Sequence, residues 1–315
     1  MMEQKPLGKT EIMVSPLAFG TLTISPLQQN FPPEKGRDLI LYAASKGITL
    51  FDTAQLYQTY DALRLALEKN PAIQVATKSY AWDQKHAQIA FDEARKALNK
   101  DHIELFLLHE QESIHTMRGH REAFEFFLSQ KAKGNIGAVG MSTHRVAVVD
   151  YGPRYPGLDV LHPLINYRGI GIADGTRAEM EQACAKAHLS GIGIYGMKAL
   201  GGGHLLQEVD QAIAYVRGLP FMDTVALGMQ SQAEIDVNVA LFSDKEPPQK
   251  ALEEAKKAPR KLLIHDWCLG CGNCVQRCGQ KALTIKNGRA VVDYTRCVRC
   301  GYCVTACPEF CIKVV

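Results

Sequence analysis

Two cysteine runs with the same spacing restrict what the end of this chain can become. CLGCGNCVQRC at 268–278 and CVRCGYCVTACP at 297–308 both read C-x2-C-x2-C-x3-C. The first motif holds Cys268, Cys271, Cys274 and Cys278, and the second holds Cys297, Cys300, Cys303 and Cys307. Of the ten cysteines in 315 residues, only Cys184 precedes them. Zinc sites usually draw on separate C-x2–4-C pairs. Three cysteines at successive x2 spacings instead wrap a loop round one corner of a cubane, and the fourth reaches a neighbouring cluster. The spacing predicts two [4Fe–4S] clusters, with zinc as the plainer alternative. Between the motifs, ALTIKNGRAVVD alternates about Asn287-Gly288, a hairpin signal. Cys311 is expected to be a packed thiol.

Thiols in this number suit a reducing compartment. The opening MMEQKPLGKTE lacks the apolar core of a signal peptide, so the expected location is the cytoplasm. No apolar run approaches the roughly 18 residues that span a bilayer, which argues against a membrane protein. A net charge of +3 is too small to indicate nucleic acid as a partner. Over 262–315 the sequence resembles bacterial two-cluster ferredoxins. That resemblance implies crossed ligation: Cys268, Cys271, Cys274 and Cys307 on one cluster, Cys297, Cys300, Cys303 and Cys278 on the other. The second motif ends in the usual Cys307-Pro308, whereas the first ends in Cys278-Gly279.

Ahead of the tail, β-rich apolar segments alternate with helical patterns. Strands are expected at 17–21, 48–52, 73–78, 103–109, 137–142, 160–166, 191–197 and 224–229. Helices are expected at 34–46, 58–69, 84–99, 118–133, 144–150, 176–189, 207–217 and 231–241. Eight such units in about 240 residues match a (β/α)8 TIM barrel. A doubly wound sheet fits less well, because no G-x-G-x-x-G follows the first strand. The chain thus divides into a barrel over 1–242, a linker over 243–261 and a small α+β ferredoxin-like domain over 262–315. Within the linker, Pro247-Pro248 precedes QKALEEAKKA, which reads as an exposed helix with Glu253 and Lys257 paired at i,i+4.

Active sites of such barrels lie at the C-terminal ends of the strands. There the sequence presents Asp52 and Tyr57 (FDTAQLY), Lys78 (VATKSY) and His109 (LFLLHEQ). Each alone has a dull reading as a loop, rim or core residue. Together they form a proton-donating site. A phenol titrates near ~10, too high for easy donation at neutral pH. A nearby ammonium lowers that value, a carboxylate holds the ammonium, and an imidazole orients a carbonyl oxygen toward the phenol.

With these four groups the region 5–240 resembles the aldo-keto reductases, as does the opening KPLGKTEIMVSPLAFGTL. The resemblance implies Tyr57 as general acid, Lys78 tuning it, Asp52 holding Lys78 and His109 orienting the carbonyl of a small-molecule substrate. It also implies NADH or NADPH at the barrel mouth, near Gly20, Thr21, Ser142, Thr143, Asn166, Met197, Lys198, Gly228, Gln232 and Asn238. This nucleotide side departs from the family pattern. Thr143 replaces an asparagine, Leu164 a glutamine, Met197 an aromatic residue, and Glu234 the arginine that clasps a 2′-phosphate. Gly201–Gly203 reads either as a flexible turn or as an amide nest for the pyrophosphate. MKALGGG resembles the form in the family branch fused to ferredoxin tails.

Three readings follow. The barrel is an NAD(P)H-dependent carbonyl reductase whose tail is structural or docks an electron-transfer protein. Or the tail feeds single electrons to the barrel, where the four groups move protons without nicotinamide. Or the barrel is a binding platform for an electron-transfer subunit. Coupling hydride to single electrons usually takes a flavin, and no segment reads as a flavin site.

Overall fold

Eight parallel strands close into one barrel in this computed structural model, which describes residues 2–257, 260–297 and 302–315. A short hairpin, β1 (Lys5–Pro6) and β2 (Met13–Val14), comes first. The barrel strands are β3 (Leu17–Gly20), β4 (Leu50–Asp52), β5 (Gln74–Ser79), β6 (Ile103–Leu108), β7 (Ile136–Thr143), β8 (Val160–Pro163), β9 (Gly193–Met197) and β10 (Thr224–Gly228). They pair in chain order, and β10 closes the ring against β3. All eight expected strands form, each within a few residues of its predicted span. Near-continuous apolar runs such as Ile103–Leu108 are what a strand needs when it is buried on both faces.

Two apolar cores result. Leu50, Ala76, Leu105, Leu107, Val160 and Tyr195 fill the interior together with Leu7 and Val14 of the hairpin. The outer core joins the strands to the surrounding helices through residues such as Phe51, Phe91, Phe106 and Phe127. The expected helix at 118–133 divides into Ile114–Gly119 and Arg121–Ala132. Ser113 and Thr116 form a capping box that starts the first of these early.

The linker helix, Gln249–Lys257, is not free of the barrel. Ala251 is buried against Ala233 and Val237 of the last barrel helix, Gln232–Phe242. Exposure of this helix is therefore confined to its polar face. Glu253 accepts from Gln249 Nε2 at 3.1 Å, and the ion pair on that face is Lys250–Glu254 at 3.9 Å.

In the tail, β11 (Leu262–Ile264) pairs antiparallel with β14 (Ile312–Val314), and β12 (Leu283–Lys286) with β13 (Arg289–Val292). Asn287 and Gly288 join the latter pair with φ of 50° and 72°, the two-residue turn that the sequence signalled. The strand β14 lies on the short turn Gly201–Gly203 beyond β9. Gly203 has φ of 92°, and a Cβ there would sit 2.5 Å from the Val314 carbonyl oxygen. At Gly202, φ is 64° and a Cβ would sit 3.1 Å from the Phe310 ring.

Gly203→Val should therefore loosen the tail and leave the barrel folded. A β-branched residue at positive φ costs about 1–3 kcal/mol before any clash is counted. Amide exchange in Ile312–Val314 should quicken about tenfold or more, with the barrel strands unchanged. Unaltered exchange in β14 would show that the glycine run does not seat the tail.

Candidate active site and cysteine cavity

The strand ends bring the four predicted groups together. Asp52 ends β4, Tyr57 lies in the 3-10 turn Gln55–Tyr57 after it, Lys78 is near the end of β5, and His109 follows β6. Asp52, Lys78 and His109 are buried, and Tyr57 is half-buried. The Lys78 ammonium bonds the Asp52 carboxylate and donates to the Thr53 carbonyl at 2.8 Å. Its Nζ lies 5.1 Å from the Tyr57 ring centroid. The His109 ring meets Tyr57 edge-on at 5.7 Å and stacks on Tyr80 at 4.5 Å.

Gln58, Glu110 and Lys198 each have positive φ, at 55°, 52° and 57°. They immediately follow Tyr57, His109 and Met197. Non-glycine residues in this region are uncommon and cluster where a site over-determines the backbone. Here they turn the chain sharply at the barrel mouth.

Burial raises the Asp52 carboxyl and lowers the Lys78 ammonium, while each partner's charge opposes the other's shift. Burial, then the charge of Asp52, holds the Tyr57 phenol well above its ordinary value. The expected lowering by Lys78 is thus outweighed at rest, chiefly by burial. Burial and the Lys78 charge keep His109 well below the ordinary histidine value. At neutral pH the site holds a protonated phenol beside a neutral imidazole.

Sequence patterns gave no signal for Tyr195, His162, Tyr80 and Glu110. Tyr195 and His162 lie on interior strand positions, where a polar ring looks like core. The two rings stack at 3.9 Å, and burial and Asp52 raise the Tyr195 phenol. Tyr80 donates to Glu110 at 2.6 Å, Glu110 faces His144 at 3.4 Å, and His144 contacts Lys198 Nζ at 2.9 Å. Trp82 is half exposed and stacks on His86.

On the expected nucleotide side, Gly20 and Gly228 are register partners at the ends of β3 and β10. Thr21 shares a hydrogen bond with Thr59. Ser142 Oγ accepts from the Glu110 N–H. Thr143 is committed, donating to the Gln111 carbonyl at 2.6 Å and accepting from Arg145 N. Asn166 is committed as well: its amide donates to the Ile170 carbonyl and its oxygen accepts the Ile170 N–H, both at 2.9 Å. Leu164 is buried and bridges to Met197. Gln232 is exposed and Asn238 buried on the last barrel helix. Glu234 has a local reason to be acidic. Ser231 caps its N–H, its carboxylate accepts from Gln230 N at 2.9 Å, and Arg260 of the linker pairs with it at 3.5 Å. The glycine run lies beneath β14, which neither sequence reading foresaw.

In the tail, Cys268, Cys271, Cys274 and Cys307 line one cavity, and Cys311 also reaches it. Cys311 is packed as expected, buried in the small core of the tail, with its Sγ 3.3 Å from Cys307 Sγ. Cys278, Cys297 and Cys303 pack in the same small core, whereas Cys300 lies outside the described residues. Among the described residues no three His, Cys, Asp or Glu side chains converge as a single metal ion requires. Cys184 is unrelated to this cavity: it is buried in the barrel, and burial pushes its thiol up to about 12. No helix among the described residues is long and apolar enough to cross a membrane.

Comparison with known proteins matches residues 16–220 to the aldo/keto reductase family and 261–308 to a 4Fe-4S dicluster domain. Comparison with curated proteins finds no match. A solved structure from Pseudomonas aeruginosa, described as an aldo-keto reductase, is 25% identical with a TM-score of 0.65. The match covers 79% of this chain and 96% of that one. The holo form of an aldo-keto reductase from Bacillus halodurans is 19% identical, with a TM-score of 0.67 over 82% of this chain and 96% of its own, and so bears on the fold alone. The barrel, its strand-end chemistry and the match over most of its length agree: this chain belongs to the aldo/keto reductase family and carries an iron–sulfur tail.

Proposed function

We propose that this chain reduces a small carbonyl compound in the cytoplasm, with Tyr57 giving the proton to the carbonyl oxygen. The supporting observation is the convergence of Asp52, Tyr57, Lys78 and His109 at three neighbouring strand ends. His109, held neutral, donates an N–H to the carbonyl oxygen and orients it toward the phenol. Tyr57 keeps its proton until charge develops on that oxygen. Lys78 then stabilises the phenolate as it forms, and Asp52 keeps Lys78 charged and in place. Reducing a carbonyl to an alcohol takes two electrons and two protons. Tyr57 supplies the proton that ends on oxygen. The proton that ends on carbon comes from solvent water when the electrons arrive singly, or with the electron pair as hydride when nicotinamide supplies them.

The chain divides into the barrel at 1–242, the linker at 243–261 and the tail at 262–315. The cavity lined by three cysteines of the first motif and Cys307 of the second fits a cluster with crossed ligands. On this reading Cys268, Cys271, Cys274 and Cys307 hold one [4Fe–4S] cluster, and Cys297, Cys300, Cys303 and Cys278 hold the other. When bound, such clusters supply electrons one at a time. Cys271 is exposed, so a partner protein could deliver electrons at that side of the tail.

A nicotinamide dinucleotide fits the barrel mouth poorly. Thr143 and Asn166 are committed within the protein, Arg260 holds Glu234, and β14 covers the glycine run. These contacts favour the tail as the electron source. NADH or NADPH is the second reading, supported by the family's usual chemistry and by Ser142 and Gln232 at the matching positions.

Tyr57→Phe should lower kcat by about 10²–10⁴-fold with no loss of folding, and Lys78→Met should be comparably damaging. With Tyr57 protonated and His109 neutral across that range, kcat should stay level from about pH 6 to 8, unlike a free histidine at ~6.5. A loss under about tenfold in Tyr57→Phe would remove it as the acid.

Cys307→Ala should disturb the cluster built on the first motif, read as loss of one of two electron paramagnetic resonance signals in the reduced protein. Loss of the signal assigned to the second motif instead would overturn the crossed assignment.

A further inference from the structure

Among the described residues, one group of cations is left unused by the proton chemistry above. Lys198, just past β9, and Lys313, in β14, both approach the ring of Phe310. Their Nζ atoms lie 5.3 Å and 2.8 Å from its centroid, so the two ammoniums are within about 8 Å of each other. Lys313 is 9% exposed, and its Nζ has no hydrogen-bond partner. Buried charges are ordinarily paired and hydrogen-bonded. His204 lies tilted against the same ring at 5.0 Å and His144 touches Lys198, so two further bases add to the group. Glu110 acts on both lysines but is already bonded to Tyr80 and faces His144, and Cys307 and Cys311 of the tail also act on Lys313.

We propose that Lys198 and Lys313 together receive a carboxylate of the substrate, so that the compound reduced by this chain is a keto acid. The inference rests on Tyr57 and His109 being the carbonyl site. A contact path ties the two places together: His109 to Tyr80, Tyr80 to Glu110, Glu110 to His144, and His144 to Lys198. Lys198 is close enough to His109 for its charge to depress the imidazole. Burial pushes Lys313 down to about 6 and Lys198 down to about 8; Lys198 also lowers Lys313, while Cys307, Cys311 and Glu110 act against that shift. A carboxylate between them would keep both charged. A nucleotide pyrophosphate suits the place less well, because the backbone turn that would cradle it is covered by β14. The site exists only with the tail docked, since the barrel contributes one lysine and the tail the other. This gives the tail a part in substrate recognition as well as in redox chemistry.

The test is calorimetric binding of oxamate, a non-reducible 2-oxo acid analogue, to the full chain reconstituted anaerobically with its clusters. Affinity should fall about tenfold or more in Lys198→Met and in Lys313→Met. Lys313→Arg, which keeps the charge, should retain it, and circular dichroism should show each variant folded. No oxamate binding by the parent protein would overturn the proposal. So would unchanged binding in the Met variants with a shifted cluster potential, which would make Lys313 a counter-ion of the cluster. Binding of ADP-ribose that displaces oxamate and depends on the same lysines would assign the place to a nucleotide and also overturn it. If the lysine dependence holds while Tyr57→Phe keeps full turnover, the carboxylate site stands and the proton-donor reading falls.

Discussion

The buried ion pair between Asp52 and Lys78 is the interaction on which the rest of this site depends. Two charges are taken out of water at the ends of adjacent strands, and neither has much solvent to return to. Removing one partner of such a pair typically costs about 3–5 kcal/mol, because the other charge is left uncompensated. The Thr53 carbonyl accepts a further hydrogen bond from the ammonium, which helps fix it 5.1 Å from the Tyr57 ring centroid. A site built this way keeps its phenol protonated at rest and offers stabilisation only as negative charge develops on the phenol oxygen. That ordering suits a general acid better than a phenol already lowered in the free protein.

The second organising constraint is steric. Gly202 and Gly203 leave no side chain between the barrel rim and the tail, which lets Phe310 and Val314 close on the turn after β9. Arg260 adds a tether from the linker to Glu234 on the last barrel helix. The Gly201–Gly203 turn, one of the places the sequence reading offered to a pyrophosphate, is therefore where this chain seats its own tail. The departures at Thr143, Leu164 and Glu234 acquire a common explanation. Thr143 and Leu164 are buried, and Glu234 accepts from Gln230 N at the start of the last barrel helix and pairs with Arg260 of the linker.

The barrel was legible in the sequence because parallel strands buried on both faces leave apolar runs of matching length, and helical periodicity separates them. Asp52, Tyr57, Lys78 and His109 were legible because each is polar and ends or follows such a run. The hairpin at Asn287-Gly288 was legible because its turn needs positive φ at both residues. Tyr195 and His162 were not, since a ring inside a strand looks like packing until its neighbours are known. The seating of the tail was hidden for a different reason. It depends on contacts between Gly201–Gly203 and Phe310–Val314, more than a hundred residues apart, and no local pattern encodes such a pairing. The acidic Glu234 likewise made sense only once Arg260 was seen beside it.

On this account the tail faces the site as its electron source, and the tetrad governs the proton. The most direct test is a single turnover without nicotinamide. Protein with chemically reduced clusters, freed of excess reductant under argon, would be mixed with a panel of 2-oxo acids and neutral ketones. Product alcohol would be counted by mass spectrometry while the reduced-cluster resonance signal is followed. The account predicts up to one alcohol per chain from a 2-oxo acid, formed as the signal decays. Clusters that stay reduced, with alcohol formed only on addition of NADH or NADPH, would contradict it.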